Sequence, residues 1–107
     1  MDDILRSIAK IEEFVREAGG LESSLKRDTL HRDAIERRLL IIAEAAAKLR
    51  GRVETKAPEI DWNAIRGMGN QIRHAYDDVD TEILRAVLVG HLEPLKRACR
   101  RLRDDHP

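Results

Sequence analysis

Aromatic side chains are nearly absent from this chain: one Trp, one Tyr and one Phe in 107 residues. Any core it builds must therefore be aliphatic. Cysteine occurs once, as Cys99, which excludes an intramolecular disulfide and a thiolate metal cluster. Cys99 reads most simply as a small buried hydrophobe. Net charge is missing too, since 20 basic and 20 acidic side chains cancel. That balance argues against a general nucleic-acid coat protein, although a local positive cleft depends on arrangement rather than sum. No apolar run reaches the roughly 18 residues of a membrane span. Met1-Asp2-Asp3-Ile4 opens on acids rather than on a signal-peptide core. The expectation is one cytoplasmic domain over residues 1–107, with no membrane contact. His31, His91 and His106 are scattered without carboxylates at ligand spacing, so neither a metal nor a cofactor is expected.

A helical period, by contrast, runs through the whole chain. Ile4, Ile8, Ile11 and Val15 predict a first helix that stops at Gly19-Gly20. Leu21 to Arg27 is a short connector, and Asp28 or Thr29 can cap the next helix. Ile35, Leu39, Ile42, Ala46 and Leu49 mark that second helix, which Leu40, Ile41 and Ala45 widen towards burial on several sides, and Gly51 ends it. Val53 to Ile60 contains Pro58 and reads as a loop. Asp61 caps a third helix running to about Tyr76, and the Asp77-Asp78-Val79-Asp80 turn leads into a fourth carrying Leu84, Val87, Leu88, Leu92, Leu95 and Leu102. Pro94 predicts a kink or break between Gly90 and Pro94. The fold class is all-α, an up-and-down bundle of four to five helices.

The third helix carries the chemistry. At 100° per residue, Arg66, Asn70 and Arg73 share one stripe and His74 borders it, while Ile65, Met68, Ile72 and Tyr76 take another side. Such a stripe is either a solvated basic face or a site. Gly67 and Gly69 each cost a helix interior about 1 kcal/mol relative to alanine. They form a turn before a helix that starts late, or they admit a second helix or an RNA backbone; the unbroken period favours close approach. Asp77, Asp78 and Asp80 fit turn and cap roles better than a cation site. Lys96, Arg97, Arg100, Arg101 and Arg103 make a basic end, which usually complements the helix dipole and less often guides RNA.

The pattern of Ile65, Gly67, Met68, Asn70, His74, Tyr76, Val79 and Asp80 resembles the signature of the HepT-like branch of HEPN domains. Asp3-Ile4-Leu5, Ile11 to Val15, Arg32 to Arg37 with Ile41 to Ala45, and Pro58 to Trp62 are similar to the family's other segments, in order. The resemblance implies an HEPN-like bundle and a homodimer with the motif helices facing across a cleft. It further implies the toxin half of a bacterial toxin–antitoxin pair, with metal-independent endoribonuclease activity. The implied partners are an RNA substrate and a small nucleotidyltransferase antitoxin that adds AMP to Tyr76. Arg37 and Glu44 match family positions that could orient the motif, and at i, i+7 they fit a surface role as well.

One departure falls on the catalytic signature. The family most often has Arg directly before the Asn, four to six residues ahead of the His; here that position is Gly69. Arg66 precedes His74 with seven residues between, and Arg73 adjoins it. Histidine can move the proton of a ribose 2′-hydroxyl, and arginine can hold the charge that develops on the attacked phosphate. Either Arg66 or Arg73 takes that charge role beside His74 and Asn70, or the domain is a catalytically degenerate module serving a nucleotidyltransferase as substrate or binding partner. A dimeric helical module without chemistry is a third reading.

Overall fold

The computed structural model describes residues 1–75 and 79–105, and several of its helix ends have a local cause. Helix α1 spans Asp2–Ala18 and ends at Gly19, which adopts φ +93° and lets Gly19 and Gly20 donate to the carbonyls of Arg16 and Val15. That left-handed turn satisfies the exposed carbonyls of the last turn without cost to a side chain. A single-turn helix, α2 (Leu21–Ser24), comes next. Helix α3 (Leu30–Lys48) starts at Thr29, whose hydroxyl accepts from the Arg32 N–H. Helix α4 (Trp62–Arg73) starts at Asp61, whose carboxylate accepts from the Ala64 N–H at 3.0 Å. Helix α5 (Thr81–Gly90) starts at Asp80 in the same way, and α6 covers Leu92–Asp105.

The break foreseen between Gly90 and Pro94 falls at His91. Pro94 then sits in the first turn of α6, where its missing N–H has no helical partner to lose. The third helix is shorter than its sequence period suggests: it closes at Arg73 with His74 as C-cap, and Tyr76, Asp77 and Asp78 lie outside the described residues.

Among the described residues the chain is all-α, with α3 packed against both α1 and α4, and α6 against α1 and α5. The core is aliphatic, built on Ile4, Ile8 and Ile11 of α1, Ile35, Leu39 and Ile42 of α3, and Leu95 and Leu102 of α6. Trp62 is a large ring within it, its Nε1 donating to the Ala57 carbonyl at 3.0 Å. Leu40, Ile41 and Ala45, expected to widen the buried stripe of α3, are half-buried. No helix among the described residues is long and apolar enough to cross a membrane.

The two glycines of α4 differ. A Cβ at Gly67 would meet nothing within 4 Å, whereas one at Gly69 would stand 2.9 Å from the Ala43 Cβ. At Gly69, therefore, α4 comes too near α3 to admit a side chain, and close approach holds for one glycine of the pair. Gly67→Ala is expected to stabilise by about 1 kcal/mol, raising Tm by roughly 4–8 °C. Gly69→Ala is expected to lower Tm, because forcing the two helices apart costs about 1–3 kcal/mol and exceeds the propensity gain. Thermal melts of the two variants test the contrast; equal shifts would refute it.

Candidate functional site

Helices α3 and α4 run antiparallel. Contacts pair Ala46 with Arg66, then Ala43 with Gly69 further along. The polar stripe of α4 therefore lies along the border of α3, and its members meet different surroundings.

Arg66 goes inward. It is 8% exposed, its Nε donates to the Ala46 carbonyl at 2.9 Å, and its guanidinium pairs with Glu54 at 2.6 Å. A cation among the carbonyls of the last turn of α3 also suits that helix's dipole. The Arg66 guanidinium beside Glu54 holds that carboxyl below the usual carboxylate range, and the Gly51 N–H adds a hydrogen bond at 2.7 Å. Both ends of Arg66 are thus committed within the protein.

Arg73 goes outward. Its guanidinium donates to Asn70 Oδ1 at 3.1 Å and lies 3.6 Å from a Glu44 carboxylate oxygen. Its two terminal nitrogens sit 3.3 and 3.6 Å from where a Cβ on residue 69 would be. The space vacated at Gly69 is thus covered by the side chain one turn later, and a guanidinium stands beside the position where the sequence lacks one. Asn70 and His74 are exposed, and the His74 backbone N–H closes the helix on the Asn70 carbonyl at 3.0 Å. An amide, a guanidinium and an imidazole are gathered within the last turn and a half of α4.

Of the two supporting positions on α3, Glu44 joins this group through Arg73. Arg37 is exposed and makes no hydrogen bond or ion pair with the described residues. Tyr76 lies two residues after His74, outside the described residues. Among the described residues no cluster of His, Cys, Asp or Glu could hold a metal ion. His31 lies 3.6 Å from Glu17, far along the chain from the α4 group.

Arg32 is a buried charged position that the sequence pattern did not single out. It is 1% exposed, and its guanidinium donates to the Leu25 carbonyl and Thr81 hydroxyl, both at 2.7 Å, to the Val79 carbonyl, and to Glu36 at 3.4 Å. It ties the entry of α3 to the segment that leaves the α4 group. The signal was its register: Arg32, Ile35, Leu39, Ile42 and Ala46 share one apolar stripe.

This geometry sits in a chain with close sequence kin. Residues 4–102 match the family described as Ribonuclease HepT-like. A probable ribonuclease HepT from Thermococcus cleftensis is 31% identical over 103 residues, covering 96% of this chain and 92% of that protein. No solved structure matches. With the match running from α1 into the last turns of α6, the chain belongs to the HepT-like ribonuclease family.

Proposed function

We propose that this chain is the toxin half of a toxin–antitoxin pair and cleaves RNA without a metal. The reading rests on the Arg73 guanidinium held to the Asn70 amide beside an exposed His74 at the end of α4. His74 withdraws the proton of a ribose 2′-hydroxyl, the 2′-oxygen attacks its own phosphorus, and the proton passes to the departing 5′-oxygen. Arg73 holds the charge of the phosphorane, a task suited to a planar fork of donors. Asn70 spends its carbonyl oxygen on Arg73 and keeps its amide N–H groups for a phosphate oxygen. Arg66, with both ends committed to Ala46 and Glu54, serves the fold rather than the phosphate. Glu44 steadies Arg73, and Arg37 lines the approach along α3.

The assembly in this reading is a homodimer with the α4 helices facing each other. The antitoxin is a small nucleotidyltransferase that transfers AMP to Tyr76. A bulky anion two residues from His74 would compete with RNA phosphate for Arg73 and block entry.

Cleavage should proceed in EDTA and leave 2′,3′-cyclic phosphate ends, and His74→Ala should abolish it. A requirement for a divalent ion, or activity surviving His74→Ala, would overturn the assignment. Intact mass after incubation with the nucleotidyltransferase and ATP should rise by one or more AMP units, and the rise should vanish in Tyr76→Phe. AMP transfer without any cleavage by the unmodified protein would favour the catalytically degenerate partner, a reading that the glycine at position 69 supports.

A further inference from the structure

Two neighbouring concavities lie where the start of α1, the end of α3 and the last turns of α6 meet. The first encloses about 390 Å³ over a floor of Leu49, Val53 and Leu102, with Arg52, Lys56 and Arg103 around it. The second, about 350 Å³, runs between α1 and α6 and is lined by Arg6, Lys96, Arg100 and Arg103. Asp2 and Arg103 border both, so the two are continuous. Across the pair, six cations face two carboxylates, Asp2 and Glu12. In a chain of zero net charge this is a marked local excess.

Intramolecular contacts take up part of it, at Lys56 as well, and leave the rest on the open rim. Glu12 takes Lys96 at 2.8 Å, and Arg6 meets the exposed Asp3 at 3.4 Å. Among the described residues Arg103 pairs with its sequence neighbour Asp104, at 3.5 Å. Arg52 and Arg100 are exposed and form no ion pair with the described residues. The neighbouring Arg101 is different, being held by Glu59 at 2.8 Å.

We infer that this end of the bundle is a second RNA-binding surface, gripping single-stranded substrate away from the residues that cut it. An aliphatic floor beneath a rim of cations suits a nucleotide whose base covers Leu49, Val53 and Leu102 while its phosphate meets Arg52 and Arg103. The adjoining trough, sharing Arg103, takes the next stretch of backbone. An acidic peptide would use the cations but leave the apolar floor uncovered, so RNA is the better fit. Because α3 and α4 are antiparallel, this end adjoins the start of α4, and the twelve residues of that helix separate it from His74 by about 18 Å. A strand several nucleotides long spans both. The inference takes the nature of the polyanion from the proposed ribonuclease reading, but its test does not depend on cleavage.

The probe is a fluorescein-labelled, fully 2′-O-methylated 20-nucleotide RNA, which has no 2′-hydroxyl to react, titrated with the full chain by anisotropy across a salt series. The Arg52→Ala/Arg100→Ala/Arg103→Ala variant should bind at least tenfold more weakly. Its salt dependence should fall by about two units of slope, given roughly 0.7 per phosphate contact on a single strand. Arg16→Ala/Lys26→Ala/Arg97→Ala removes the same charge elsewhere and should change binding less than threefold. All six side chains are exposed, so both variants should melt with the parent protein. Equal weakening in the two variants, unchanged binding in the first, or no binding by the parent protein would overturn the surface. Displacement of the RNA by an equal charge concentration of a glutamate-rich peptide would reassign it to an acidic protein and overturn the RNA claim. Loss of binding in the first variant, with no cleavage by the parent protein, would leave the surface standing and sink the nuclease reading alone.

Discussion

Arg32→Met is expected to destabilise the fold by about 3–5 kcal/mol, the largest stability effect of any single substitution considered, because it strips buried acceptors of a charged partner. The Leu25 and Val79 carbonyls and the Thr81 hydroxyl would all lose a donor where little water reaches. Methionine fills much of the volume but supplies no hydrogen bond. Thr81→Val removes one of these partners and should cost about 1 kcal/mol. Urea unfolding of the two variants measures the difference. A loss below 1 kcal/mol for Arg32→Met would show that the network is replaceable. The expected consequence reaches the α4 group, since Val79 and Thr81 fix the far end of the segment that leaves His74.

The largest catalytic effect after loss of His74 should come from Arg73. Arg73→Ala is expected to lower kcat by about 10²–10³, the usual result of removing a preorganised charge from a developing oxyanion. Arg73→Lys should recover part of this, since a point charge replaces a fork. Arg66→Met makes the comparison decisive. It should lower Tm through the orphaned Glu54, yet leave kcat per folded molecule within a few-fold of the parent value. Single-turnover cleavage, corrected for the folded fraction, separates the two. If Arg66→Met costs kcat as heavily as Arg73→Ala, the buried arginine belongs to the chemistry and the assignment is reversed.

Most of the fold was legible because its boundaries are set locally. Gly19, Thr29, Asp61 and Asp80 are cap residues whose chemistry acts within a few positions, and each of these helix ends falls where its cap residue stands. Pro94 fixed the break before α6 for the same reason. Ends without such a residue were harder. Nothing in the sequence between Arg73 and Tyr76 marks a stop, and the helix closes at Arg73, earlier than its apolar period implies.

The site was legible as a stripe but not as a set of roles. A helical wheel places Arg66, Asn70 and Arg73 together, yet it cannot tell which part of a stripe lies beneath another helix. That depends on α3 running antiparallel and on the loop after it bringing Glu54 to Arg66, contacts 12 to 20 residues apart in sequence. Arg32 was missed on the opposite ground. Arginine is rarely buried, so its place on an apolar stripe was outweighed by its charge. The relation of Gly69 to Arg73 is likewise tertiary, since the Ala43 contact is what leaves the glycine position no room for a side chain.

Cys99, fully buried on α6, gives the protein an internal clock for its own opening. Burial pushes its thiol up to about 11, so in the folded state it is both shielded and protonated at neutral pH. Only the thiolate reacts readily with disulfide reagents. Modification therefore requires α6 to leave the bundle, and in the limit of fast reagent its rate equals the rate of that departure. Because the chain holds no other cysteine, a single colour-forming reagent reads this rate without label or tag. Burial likewise shields the folded protein from oxidants that would cross-link an exposed thiol, while an unfolded copy offers that thiol for disulfide formation.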